Sequence, residues 1–239
     1  MALPIYLAMT PWEFRNCQRP AHWGWMGCHF SAGGDGLTGL PDSLPGKAFL
    51  ILDDSTPMQA HDPALCCRQL QQAAEQLRPQ GIILDLQRPE QPQLSEFLHT
   101  LQNTLPCPTA VSHVYAQHWD GPVLVPPVPP DIPIREHLQP WQGRPVWLEA
   151  DRGFLELTLT HKGCQATCQP VDFQEGMHKD HRLHCHYRVS VTPEKAVFSL
   201  MRTHEDLQEL IQEGQALGVS TVVGLYQELF YLSTAGHRL

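Results

Sequence analysis

The chain has 239 residues, 42% of them hydrophobic, and a formal net charge of −9. That composition is enough for a sizeable core and excludes a disordered chain. The acidic balance, with no Lys/Arg-rich run, argues against a nucleic-acid partner, and no stretch of about 20 apolar residues is present to span a membrane.

Met1-Ala2-Leu3-Pro4 lacks the basic region and long apolar core of a signal peptide. The eight cysteines are therefore expected to be reduced thiols in a cytoplasmic protein. Cys164 and Cys168, four apart, are too slight a spacing to call for zinc.

In chain order, Pro4–Met9 is a first strand ending at Thr10-Pro11-Trp12-Glu13, and Trp23–Phe30 is a second with His29 near its end. Residues 31–45, rich in Gly and Pro, form a loop. Lys47–Asp54 is a third strand. Asp62 caps a helix that runs from Pro63 to Leu77, with Pro at the first helical position. The fourth strand is Gly81-Ile82-Ile83-Leu84-Asp85-Leu86-Gln87, stopped by Pro89. An apolar run ending in polar residues is what a buried parallel strand presents at its carboxyl end. Leu94, Phe97, Leu98 and Leu101 mark the next helix, Thr109–Tyr115 a fifth strand, and Pro122–Val125 a short sixth. Residues 126–133 are too proline-dense for anything but extended chain. One or two helical turns over Ile134–Trp141 precede a seventh strand, Arg144–Ala150, with Glu149 and Asp151 at its end.

Beyond it the pattern becomes antiparallel, with strands over Phe154–Thr160, Gln165–Pro170, Leu183–Ser190 and Lys195–Arg202 and a long loop over Val171–Arg182. Thr203–Leu217 is a helix with an acidic capping box from Asp206 and a stop at Gly218. Ser220–Leu225 is the eighth strand, followed by Tyr226-Gln227-Glu228-Leu229. Eight strands alternating with helices or loops predict an α/β fold, an irregular TIM-type (β/α)8 barrel with an antiparallel β-rich insertion between strands 7 and 8. Residues 1–153 and 203–239 form the barrel and 154–202 the insertion. An open doubly wound sheet is the alternative.

Such a barrel collects acids at one face. Asp85 and Gln87 share a side of their strand, as do Glu149 and Asp151, whereas Asp53 and Asp54 cannot. Facing carboxylates are the equipment of glycosidic-bond cleavage. Gln80-Gly81-Ile82-Ile83-Leu84-Asp85-Leu86-Gln87 resembles a degenerate form of the motif Asp-Gly-x-Asp-x-Asp-x-Glu of chitinase-like (family 18) glycoside hydrolases. Tyr226-Gln227-Glu228-Leu229, on the last strand, is similar in position to that family's aromatic pocket floor, and the insertion lies where many members carry one. Gly81 and Asp85 match the motif, but Gln80 and Ile83 replace its first two acids and Gln87 replaces its proton-donating Glu. The family's Tyr-Asp pair on strand six has no counterpart. The resemblance implies that Asp85 holds the substrate's acetamido group. An amide at position 87 has no acidic proton, so another carboxylate must donate it, or sugar is bound without being cut.

The chain is therefore read as a carbohydrate-active barrel. Asp85, Glu149, Asp151 and Asp53 are the catalytic candidates. Gln87, Glu13, His29, Tyr115, Tyr226, Glu228 and Trp119 are expected to contact a carbohydrate ligand. No cofactor or metal is expected. Gly34-Asp35-Gly36-Leu37-Thr38-Gly39 fits a dinucleotide fingerprint in letters, but Pro41 and Pro45 follow where a helix would have to begin. Two alternatives stay open: a non-catalytic glycan-binding or scaffolding barrel, and a metal-dependent hydrolase using the His178–His186 cluster.

Overall fold

The computed structural model describes residues 3–58, 62–89, 91–102, 104–168 and 176–235. The elements run β1 Ile5–Met9, α1 Pro11–Asn16, β2 His22–Phe30, β3 Leu37–Thr38, β4 Lys47–Asp53, α2 Pro63–Leu77, β5 Gly81–Asp85 and α3 Pro92–Leu101. They continue with β6 Thr109–Ser112, β7 Val123–Val125, α4 Ile134–Leu138, β8 Val146–Ala150, β9 Leu155–Thr160, β10 Gly163–Thr167, β11 His178–Asp180, β12 Cys185–Val191 and β13 Lys195–Met201. The last three are α5 His204–Ala216, β14 Val219–Leu225 and α6 Tyr226–Ala235.

Eight parallel strands pair in the order β1-β14-β8-β7-β6-β5-β4-β2, and β1 also pairs with β2, which closes the ring. The open-sheet alternative is excluded. The short β3 pairs antiparallel with β2 at Phe30 and His29, so the fingerprint-like glycines belong to an edge hairpin and no helix starts there. A second sheet, β10-β9-β13-β12-β11, is antiparallel throughout and is inserted after the seventh barrel strand.

Alternation along each strand separates two cores. Ile82 and Leu84 of β5 face outward to the helices, in the large core that also holds Leu70, Phe97 and Leu98. Ile83 faces inward with Ala8, Ile51, Ala110, Leu124 and Val223. Beneath them three rings close the barrel floor: Tyr6 stacks on Phe49 with centroids 4.0 Å apart, and Phe49 stacks on Trp147 at 5.0 Å. Gly81 makes room for this stack, since a Cβ there would meet Trp147 at 3.0 Å and Phe49 at 3.1 Å. The glycine of the family-like motif thus has a packing reason in this chain.

Several elements differ from expectation. The fifth barrel strand stops at Ser112, and residues 113–118 wind into a 3₁₀ turn, which places Tyr115 off the strand. A short helix, α1, follows β1. Its capping box is legible in Thr10 and Glu13, but Pro11 and Trp12 disguised it as a strand end. The insertion has five strands, because β11 forms where loop was expected. Residues 169–170, assigned to a strand, and 171–175, assigned to that loop, lie outside the described residues. Tyr226 opens a helix rather than extending the last strand.

Candidate active site at the carboxyl mouth of the barrel

The inward-facing residues at the carboxyl ends of the strands line a concavity of about 290 Å³. Asp85 enters from β5, Glu149 and Asp151 from the end of β8, and Glu228 from the first turn of α6. Ala8, Met26, Ile51, Ile83, Leu124 and Leu225 supply apolar walls. Four carboxyl groups from three parts of the chain thus meet over an apolar floor, each partly shielded from water.

The electrostatic result follows from that enclosure. Burial pushes the Glu149 carboxyl up to about 8, and the neighbouring charges of Asp85 and Asp151 push in the same direction. Asp85 is also raised by burial, with Asp54 and Asp53 adding to it. The Gln87 amide donates to Asp85 Oδ1 at 2.6 Å and opposes the rise, as does His113 more weakly. Burial raises Asp151, whereas Arg202 and the backbone N–H of Gly153, 2.9 Å from Oδ1, pull it down. Glu228 is raised by burial and by Asp151, with Arg152 opposing. Glu149 is raised furthest of the four and accepts no hydrogen bond from the described residues, so it is the group best placed to keep its proton at neutral pH.

Gln87 sits exposed at the rim and orients Asp85. Asp53, paired across the strands with Asp85, accepts the backbone N–H of Ser55 at 2.9 Å. It is near enough to affect Asp85 electrostatically but is not among the residues lining the concavity. Its neighbour Asp54 is buried on the outer side. There it receives the backbone N–H groups of Gln87 and Arg88 at 3.0 and 2.8 Å, which fixes the course of the chain leaving β5.

The remaining sequence candidates have other places. Glu13 is held in the α1 capping box, accepting from Thr10 N and Oγ1 at 2.7 and 2.9 Å. His29 lies at the end of β2 against Thr38 of β3. Tyr115 is buried, its hydroxyl donating toward the carbonyls of Arg88 and Pro89. Tyr226 points into the outer core and packs on Phe230. Trp119 donates to the carbonyl of Thr109 at 3.2 Å, at the opposite end of the barrel. None of these five lines the mouth. Trp23, Trp25, Trp119 and Trp147 are core residues with no face free to stack on a sugar, whereas Trp12 is exposed, at 64%.

Two features escaped the sequence. Arg202 is 1% exposed. Its guanidinium donates to the carbonyls of Val128 and Pro129 at 2.5 and 3.1 Å, beside Asp151. It ties the proline-rich loop to the root of the insertion, and nothing in the sequence at the end of a β-rich run announces that. Part of the histidine cluster is a seam against α5: His184 Nε2 lies 2.7 Å from Glu213 and His186 Nδ1 lies 2.7 Å from Asp206, whereas His178 packs on Tyr187. Lys179 joins Asp206 and Glu209. The histidines diverge onto separate carboxylates, and among the described residues no group of three or more His, Cys, Asp or Glu is arranged to hold a metal ion.

No model of a known protein family matches the sequence, and no curated protein matches it either. Solved structures do. A chitinase of family 18 from Cycas revoluta, solved with allosamidin, superimposes with a TM-score of 0.58 at 11% identity, over 98% of both chains. A chitinase from Chromobacterium violaceum gives 0.53 at 11% identity, also over 98% of both. The spore cortex-lytic enzyme SleL of Bacillus cereus gives 0.56 at 10% identity, over 93% of this chain and 70% of its own. The fold is that of the family 18 chitinases. At such identities the likeness is one of architecture, and the chemistry of this family 18-like barrel has to be argued from its own residues.

Proposed function

We propose that the chain is a glycoside hydrolase that binds a glycan at the barrel mouth and cleaves it with Glu149 as proton donor and Asp85 as the carboxylate partner. The single observation behind this reading is the contrast between the two acids. Glu149, partly buried and accepting no hydrogen bond from the described residues, is held near 8, whereas Asp85 receives an amide hydrogen bond that favours its charged form. Two carboxyl groups whose environments differ in this way are suited to opposite roles, acid and base or nucleophile. In cleavage, Glu149 passes its proton to the glycosidic oxygen as the sugar C–O bond breaks and the leaving group departs with the bonding electrons. Asp85 faces the cationic sugar carbon, directly or by orienting an acetamido group that attacks it, and water completes the reaction. The charges of Asp85 and Asp151 help to keep the Glu149 proton in place.

Support for a glycan comes also from the neighbours of the same fold, one of which was solved with (GlcNAc)3. Eight free thiols fit a reducing, cytoplasmic setting as part of the same proposal.

The test is turnover of aryl N-acetylglucosaminides and chitooligosaccharides by the intact protein. Glu149→Gln is expected to lower kcat by about 10²–10⁴-fold while leaving ligand affinity close to that of the unsubstituted chain. Because Glu149 must be protonated, activity should fall as pH rises through about 8. Glycan binding with no turnover in the unsubstituted protein would remove the catalytic assignment and leave a glycan-binding barrel, the reading that an amide at position 87 favours.

A further inference from the structure

A second groove, of about 320 Å³, lies beside the mouth between the proline-rich loop and the apolar face of the inserted sheet. It shares Pro127 and Asp151 with the mouth, so the two spaces adjoin. Its walls are Pro127, Pro129, Phe154, Leu157 and Ala166 among others, with Leu157 and Ala166 paired across β9 and β10. Among the described residues, Asp131 and Asp151 are the only charged ones lining it, and no lining side chain carries an N–H or O–H donor; the one thiol, Cys168, is a weak donor.

That chemistry is wrong for a sugar ring. A pyranose surrounded by hydroxyls needs donors as well as acceptors, and burying its hydroxyls against proline, leucine and phenylalanine leaves them unpaired. The mouth, with its four carboxyl groups, suits the sugar, and the groove suits a hydrocarbon. The direction also fits. The groove meets the mouth at Asp151, two residues beyond Glu149 on the same chain segment, and a proton donor stands on the side from which the leaving group departs. We infer that the groove is an aglycone site, and that the substrate is a glycoside whose leaving group is an extended apolar chain or ring. This inference rests on the glycan reading of the mouth.

The test is calorimetric titration of the intact protein with methyl, butyl and hexyl N-acetyl-β-glucosaminides, and with the same alkyl chains on glucose. Burial of hydrocarbon is expected to tighten binding by up to about fourfold per methylene, so the hexyl compounds should bind at least about tenfold more tightly than the methyl ones. Leu157→Gln and Ala166→Asp should flatten that dependence without changing affinity for the methyl glycoside. Equal affinity across the series, or no binding of any member, overturns the inference without need of a variant. Chain-length dependence on both sugars with no hydrolysis would keep the groove and defeat the hydrolase reading, so the two failures are distinguishable.

Discussion

A single amide decides how the mouth works. In place of an acid at position 87 the chain carries Gln87, which cannot donate an acidic proton but does donate an N–H to Asp85 at 2.6 Å. Removing it in Gln87→Ala should raise the Asp85 carboxyl further, because the largest influence opposing its burial is lost. The acid limb of the pH–rate profile would then move to higher pH, and an unmoved limb would show that Asp85 does not act as a carboxylate. Glu149 has a stability consequence of its own. Its folded-state value lies above the unfolded one, so the native state binds more protons than the unfolded state between about 4.5 and 8. Stability contributed by this group is present below that window and is lost as pH rises through it. Glu149→Gln is therefore expected to gain denaturation midpoint relative to the unsubstituted chain at pH 8 but not at pH 4, as followed by urea titration at both.

At the scale of elements, the strands were legible and the turns between them only in part. The fourth barrel strand announced itself because Ile82 to Leu84 are apolar on both faces and Pro89 ends the run. The α2 and α5 helices were legible from their caps at Asp62 and Thr203. Tyr226 was misplaced because a strand and the first turn of a helix read alike over four residues, and only the parity of the following packing tells them apart. Arg202 could not be found, since its partners Val128 and Pro129 are more than seventy residues away and contribute backbone, which carries no sequence signal. Its role gives a prediction. Arg202→Ala leaves two buried carbonyls without donors and opens a void, at a cost of about 2–4 kcal/mol, and it releases the proline-rich loop. Limited proteolysis should then cut within residues 126–133 in the variant, and resistance equal to that of the unsubstituted protein would contradict the anchoring role.

For the whole molecule, ring closure is what turns scattered acids into a site. Asp85, Glu149 and Glu228 are separated by 64 and 79 positions along the chain, and the pairing of β1 with both β14 and β2 brings their strands around one axis. The sequence predicted the ring and its acidic end. It could not rank the acids, because their order depends on how far each is shielded from water and on which has a donor beside it, both properties of the assembled barrel. The account turns on one of those acids keeping its proton at neutral pH. The direct measurement is infrared titration of the protonated-carboxyl band in the unsubstituted chain and in Glu149→Gln. One carboxyl signal persisting at pH 7, titrating near 8 and missing from the variant is the predicted result. Side-chain carboxyl groups that all ionise in the ordinary range below about 5, with identical spectra for the two proteins at pH 7, would contradict it.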